Sequence, residues 1–253
     1  MTYDVIDRAR HRTRRWIAVV TLAAAAATAL GVAAVTALRD EPTTAAQQTD
    51  VTDAAPVTDS APVPDAAARA VALPADLKWT PVAGISLPGS GQAGPLDTGG
   101  GAARRFSHDE AGALLAAVHI TVRCAPQLGP GVFDQTLQAQ VVGADAPAMR
   151  SKVGQDYDHL RANAEIPYGQ PVGRLEAVLR GYQLTSYSQQ AASVQLLTEA
   201  RDAQGNPLLA ATAVQVQWTG TDWALLAPAG GDLSTAVSRA GSPDGFHPFI
   251  PGR

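Results

Sequence analysis

The sequence predicts an α+β protein: an N-terminal transmembrane helix, then a domain of helices packed on a curved antiparallel sheet. Three observations carry this. Residues 16–38 form an apolar run without a single charge, helical periodicity dominates residues 107–164, and strand alternation takes over after Pro171. Helices followed by consecutive hairpin-linked strands are the order of an α+β domain.

The apolar run is long enough, at ~1.5 Å per residue, to cross a hydrocarbon core of ~30 Å. Arg8, Arg10, Arg12, Arg14 and Arg15 precede it, whereas Arg39, Asp40 and Glu41 follow. That bias holds residues 1–15 in the cytoplasm as a basic tail and sends the remainder outward. Alanine fills much of the run, so insertion rests on Ile17, Val19, Val20, Leu22, Leu30, Val32, Val35 and Leu38. A cleaved export signal is the rival reading. Val35-Thr36-Ala37 has the small residues of a cleavage site, and Thr13-Arg14-Arg15-Trp16-Ile17 loosely resembles a twin-arginine motif. Either way the domain lies outside the cytoplasm. Ala23, Ala27 and Gly31 form a small-residue stripe through which two helices can approach, the basis for expecting a homo-oligomer.

Residues 39–76 are rich in Ala, Thr, Pro and Asp and poor in bulky apolar side chains. Such a stretch buries too little surface to offset ordering entropy, so a disordered stalk is expected. The domain proper is expected over residues 77–253. It opens with a short strand at Leu77-Lys78-Trp79-Thr80-Pro81-Val82, then a glycine-rich connection over residues 88–101 that lacks the lysine and spacing of a phosphate loop and is expected to be flexible.

Ser107-His108-Asp109-Glu110 has the form of a capping box and starts a helix whose apolar face is Ala111, Leu114, Leu115, Val118 and Val122, with His119 at its edge. A second helix is expected over 132–141. A third covers 145–164, with Ala146, Met149, Val153, Tyr157, Leu160 and Ala164 on one side. Leu175, Ala177 and Leu179 then alternate until the phase slips at Gly181 and passes to Tyr182 and Leu184, which predicts a β-bulge. Val194, Leu196, Thr198 and Ala200 form the next face, and Ala210, Thr212, Val214, Val216 and Trp218 the one after. Thr219-Gly220-Thr221-Asp222 closes a hairpin that sets Trp218 opposite Trp223, either as a packed pair or at a partner surface.

A net charge of −4 argues against direct nucleic-acid binding. Cys124 is the only cysteine, so no internal disulfide is available and a cysteine-ligated zinc site is not expected. Asp156, Asp158 and His159 lie close together in sequence, but a helix points the two carboxylates apart. No serine–histidine–acid set assembles, and Gly84-Ile85-Ser86-Leu87-Pro88 lacks the closing glycine of a hydrolase elbow. Tyr182, Tyr187 and Glu176 have the side chains a cone-shaped enzyme would use, yet nothing in their spacing selects them. No catalytic, cofactor or metal residue is therefore assigned.

The element order is that of the cone-shaped folds typified by nuclear transport factor 2. Several stretches also carry a resemblance: Ala93-Gly94-Pro95-Leu96-Asp97-Thr98-Gly99-Gly100, Arg105-Phe106-Ser107-His108 leading into Gly112-Ala113-Leu114-Leu115, Gly129-Pro130, and Gln217-Trp218 through Asp222-Trp223 to Gly230-Gly231-Asp232. Together they resemble an uncharacterised family of actinomycete membrane-anchored proteins found with integrative conjugative elements and plasmids. The layout is also similar to bitopic inner-membrane scaffold subunits of type IV secretion systems, which act through protein contacts. The resemblance implies a non-enzymatic envelope scaffold of a conjugative apparatus, with the membrane and other transfer or envelope proteins as partners and no cofactor. Two alternatives stay open: a small-ligand-binding or isomerase-like cone domain, and an accessory protein of a cell-wall or lipid-transport system.

Overall fold

The computed structural model describes residues 70–202 and 204–249. The basic tail, the apolar run and most of the expected stalk lie outside the described residues. Among the described residues no helix is long and apolar enough to cross a membrane.

A two-stranded antiparallel ribbon, β1 (Lys78–Val82) and β2 (Ile85–Gly89), comes first. Three helices follow: α1 (Glu110–Arg123), α2 (Pro130–Gln140) and α3 (Ala146–Asn163). The main sheet is built on β4 (Ala177–Tyr187), β5 (Ala191–Arg201) and β6 (Pro207–Trp218), all antiparallel. The outer edge of β6 is shared. Its last residues pair with β7 (Trp223–Leu226), which a two-residue strand β3 (Val141–Val142) extends in parallel, and Ala210–Thr212 pairs with β8 (Val237–Arg239). On the far side, β9 (His247–Pro248) covers only Gly181 and Tyr182 of β4. The result is a mixed α+β domain with helices on a sheet.

The sheet turns Leu179, Tyr182 and Leu184 of β4, Ala192, Val194 and Leu196 of β5, and Thr212, Val214 and Val216 of β6 inward. The expected slip is present: the β4–β5 register shifts between Leu179 and Gly181, and again between Leu184 and Ser186. Gly181 serves a second purpose, since a Cβ there would lie 2.8 Å from the His247 carbonyl oxygen and push β9 away.

α1 differs from its expected one-sided face. Every residue from Ala111 to Ile120 is buried, because the helix runs between β5, β6 and β7 on one side and β2 and α2 on the other. Alanine and glycine on its remaining faces make that enclosure sterically feasible, and fully burying Leu114, Leu115 and Ile120 is worth about 1.5–3 kcal/mol each. The cap also falls two residues later than the capping-box reading. Asp109 accepts from the Gly112 N–H at 2.8 Å, while the Ser107 hydroxyl donates to Asp109 at 2.6 Å. The shorter carboxylate-capped helix wins because an ionised acceptor also complements the helix N-terminus.

The glycine-rich connection is not the loose loop that its composition predicts. Ser90 pairs with Gly94 and Asp97 with Arg104 as backbone bridges, and Ala93, Ala102 and Ala103 are buried. Residues 70–76, assigned to the stalk by composition, also lie against the domain. Val71 is buried in the core, and the Asp76 carboxylate accepts from the Ser90 hydroxyl and the Gly91 N–H.

Candidate functional site

Two surface features and one internal cluster hold the side chains of chemical interest. One opening is an apolar groove of ≈640 Å3 lined by Val71, Leu73, Leu77, Trp79, Tyr182 and Phe249. Its aromatic rings meet edge to face or tilted. Trp79 and Phe249 have centroids 6.2 Å apart, and Tyr182 and Phe249 4.9 Å apart. β4 supplies Tyr182 at the residue just past the bulge, which turns the ring inward, whereas Phe249 arrives on the chain leaving β9. The Tyr182 hydroxyl is committed to backbone: it accepts from the Val71 N–H at 3.2 Å and donates to the Val71 carbonyl at 3.3 Å. Burial raises its pKa, so the phenol stays protonated and holds residues 70–73 against the sheet.

A second, smaller cavity of ≈100 Å3 opens between the end of α1, α3 and the sheet, with Thr121, Cys124, Lys152, Asp156, Thr212 and Asp232 around it. Lys152 donates to Asp156 at 2.6 Å, and this bond, together with the charges of Asp156 and Asp232, raises the lysine's pKa. The Thr121 hydroxyl is buried without a partner. Cys124 is fully buried, and desolvation pushes its thiol well above the usual range, so it packs as a small apolar group.

The third feature joins the hairpin to the residues ahead of α1. Asp222 accepts from the N–H groups of Arg105 at 2.6 Å, Phe106 at 3.1 Å and Trp223 at 2.9 Å. The Trp223 indole donates to the Ser107 carbonyl at 2.9 Å, and the His108 imidazole stacks on Trp218 with centroids 3.8 Å apart. Trp218 and Trp223 pair in register with centroids 5.4 Å apart, the packed alternative of the two left open by the sequence. Gly94 completes the join: its φ is +90°, and a Cβ would lie 2.7 Å from the Arg105 carbonyl oxygen. Three of the stretches that carry the resemblance, at Gly94, at Arg105 to His108 and at Trp218 to Trp223, therefore meet in space through structural contacts.

The remaining candidates are separated. His119 is more deeply buried than its place at the edge of a helix face implies. Its Nε2 donates to the Pro88 carbonyl at 2.8 Å, Nδ1 has no partner, and burial together with nearby Arg123 lowers its pKa to about 4. Arg123 itself is buried, with Nε and Nη1 unpartnered. Tyr187 packs near Trp223, with ring centroids 6.2 Å apart, and Glu176 is exposed just before β4. Asp156 and Asp158 are engaged separately, by Lys152 and by Arg161. Among the described residues no group of three or more His, Cys, Asp and Glu could hold a metal ion.

A family model described as a domain of unknown function, DUF8175, matches residues 39–248. The chain belongs to this family. Comparison with curated proteins and with solved structures returned no match. The DUF8175 match begins well ahead of Ala70, so the family's own boundary takes in the segment that composition reads as a stalk.

Proposed function

We propose that this chain is a membrane-anchored, non-enzymatic scaffold of the cell envelope. In this reading it serves a conjugative, type IV-like DNA-transfer apparatus, with residues 16–38 in the membrane and a cone-shaped domain, similar to nuclear transport factor 2, outside it. The observation that carries the reading is the aromatic groove. Its one phenol is spent on its own backbone, and its walls include Trp and Phe side chains, residue types enriched at the cores of protein contacts. The arginine bias at the amino end and the resemblance to conjugative-element proteins supply the location and the company.

A cross-linking pull-down from native membranes tests this. Recovery of envelope or transfer proteins, lost on Trp79→Asp, is the expected result. An unchanged conjugation frequency after deletion of the gene overturns the assignment to DNA transfer. A second reading, a small-ligand-binding domain, draws on the groove volume of ≈640 Å3, which falls within the ~300–1,000 Å3 common for ligand pockets. The cavity against the sheet, at ≈100 Å3, falls below that range.

A further inference from the structure

We infer that the cavity between the end of α1, α3 and the sheet is a binding site for a primary alkylammonium group on a short carbon stem. It shares no lining residue with the aromatic groove, so it stands or falls apart from the scaffold reading. Distant parts of the chain build it. α1 brings Thr121 and, just past its end, Cys124; β6 brings Thr212; α3 brings Lys152, Val153 and Asp156. Asp232 and Leu233 arrive on the segment between β7 and β8. That segment can lie on α3 because Gly231 has a φ of +72°, and a Cβ there would overlap the Met149 N.

The hydroxyls call for a polar ligand. Thr212 is only 4% exposed, and its side chain has no hydrogen-bond partner among the described residues. The Thr121 hydroxyl is buried and also lacks a partner. A helical threonine commonly returns its hydroxyl to a carbonyl one turn back, as Thr136 does to Val132 at 3.0 Å; Thr121 does not. Buried hydroxyls without partners are costly, and two of them border this one cavity.

The charges select the sign of the ligand. Lys152 Nζ donates to Asp156 Oδ1 at 2.6 Å, and hydrogen bonds from Ser234 together with the lysine's charge hold Asp232 ionised. Two carboxylates and one ammonium leave the cavity net negative, which favours a second cation. A metal ion is a poor fit, since among the described residues no group of three or more His, Cys, Asp and Glu could hold one. Much of the remaining wall, at Cys124, Val153, Leu233 and Val237, is apolar. An alkylammonium meets both demands: its N–H groups donate to hydroxyl and carboxylate oxygens, and its carbons cover that wall. Lys152 and Asp156, with side chains 40% and 35% exposed, stand at the mouth. Size sets the stem. At ~30 Å3 per water-sized group, ≈100 Å3 holds about three or four non-hydrogen atoms.

Titrating the methyl-labelled full chain with ethylammonium chloride, in exchange for sodium chloride at constant ionic strength, tests this by NMR. The expected result is saturable shifts at the methyls of Thr121, Thr212, Val153 and Val237, with Val71 beside the groove unmoved. Asp232→Asn, which keeps an oxygen to accept from Ser234, should weaken binding about tenfold, whereas Lys152→Gln should tighten it about threefold. Asp156→Asn serves in parallel in case the Asp232 substitution disturbs the segment. Nα-acetyl-lysine methylamide separates two sources of the same chemistry. Tighter binding than ethylammonium assigns the group to a lysine side chain of a protein partner, and weaker binding assigns it to a free amine. The absence of saturable shifts with either compound overturns the proposal, as do the same shifts with sodium propionate. Weakening by Lys152→Gln as well as by the Asp substitutions also overturns it, because a merely structural role would move all of them one way.

Discussion

Two aromatic clusters lie along β4, and they are finished differently. Around Trp223 the rings of Trp218, His108 and Tyr187 close on one another, the indole N–H is bonded, and Asp222 takes three backbone donors from two distant parts of the chain. Around Tyr182 the rings of Trp79 and Phe249 meet at their edges and leave an open groove. The first cluster consumes its bonding capacity in holding residues 105–108 to the hairpin. The second spends one hydroxyl on Val71 and leaves carbon surface uncovered. The difference separates a region that builds the fold from one that can still make contacts.

The comparison is broken most directly at Trp223. Trp223→Ala removes a fully buried ring and its bond to Ser107, with an expected loss of about 3–5 kcal/mol in denaturant unfolding, whereas Trp79→Ala, at a half-buried ring, should cost clearly less. A result with the order reversed would erase the distinction.

Next comes pH. His119, whose ring lies 6.0 Å from Phe106, is neutral in the fold, with a pKa lowered from 6.5 to about 4. The unfolded chain binds the proton more readily, so the stabilisation is fully present above pH ~6.5 and is lost as pH falls toward 4, on the order of 3 kcal/mol. Urea unfolding at pH 7 and at pH 4.5 measures it, and His119→Gln should flatten that part of the difference.

Asp222→Asn keeps the shape but turns one accepting oxygen into an NH2 group, so the Arg105 N–H loses its acceptor while the Phe106 and Trp223 bonds lose their charge, for an expected cost of about 1.5–3 kcal/mol and faster amide exchange at Arg105 and Phe106. The smallest effect belongs to the open cluster. Tyr182→Phe should cost about 1 kcal/mol, read as faster amide exchange at Val71 with the β5–β6 ladder unchanged.

These clusters also mark what a linear reading can reach. The three helices and the long strands follow from local periodicity, and the slip at Gly181 was visible because a bulge reverses which side chains alternate. β2 was not, because Ile85-Ser86-Leu87-Pro88-Gly89 is short and ends in Pro-Gly; it is a strand because it pairs only with β1, where a proline at the edge is tolerated. The placement of Arg105 and Phe106 ahead of α1 depends on Asp222, more than a hundred residues away, and no local pattern announces that bond. The groove is hidden for the same reason, since residues 71–79, Tyr182 and Phe249 become neighbours only when β9 closes on β4.

The irregular edge of β4 has one more consequence. A domain crowded among copies of itself on a surface risks joining them strand to strand, because an unpaired edge is a template for growth. Here two register shifts against β5 bend this strand of eleven residues, and on its other side β9 interrupts the outer edge at Gly181 and Tyr182. A neighbouring copy would find no straight ladder of N–H and C=O groups to extend. Copies that touch are thereby steered to meet through side chains, which sequence can tune, and away from fibre-like stacking.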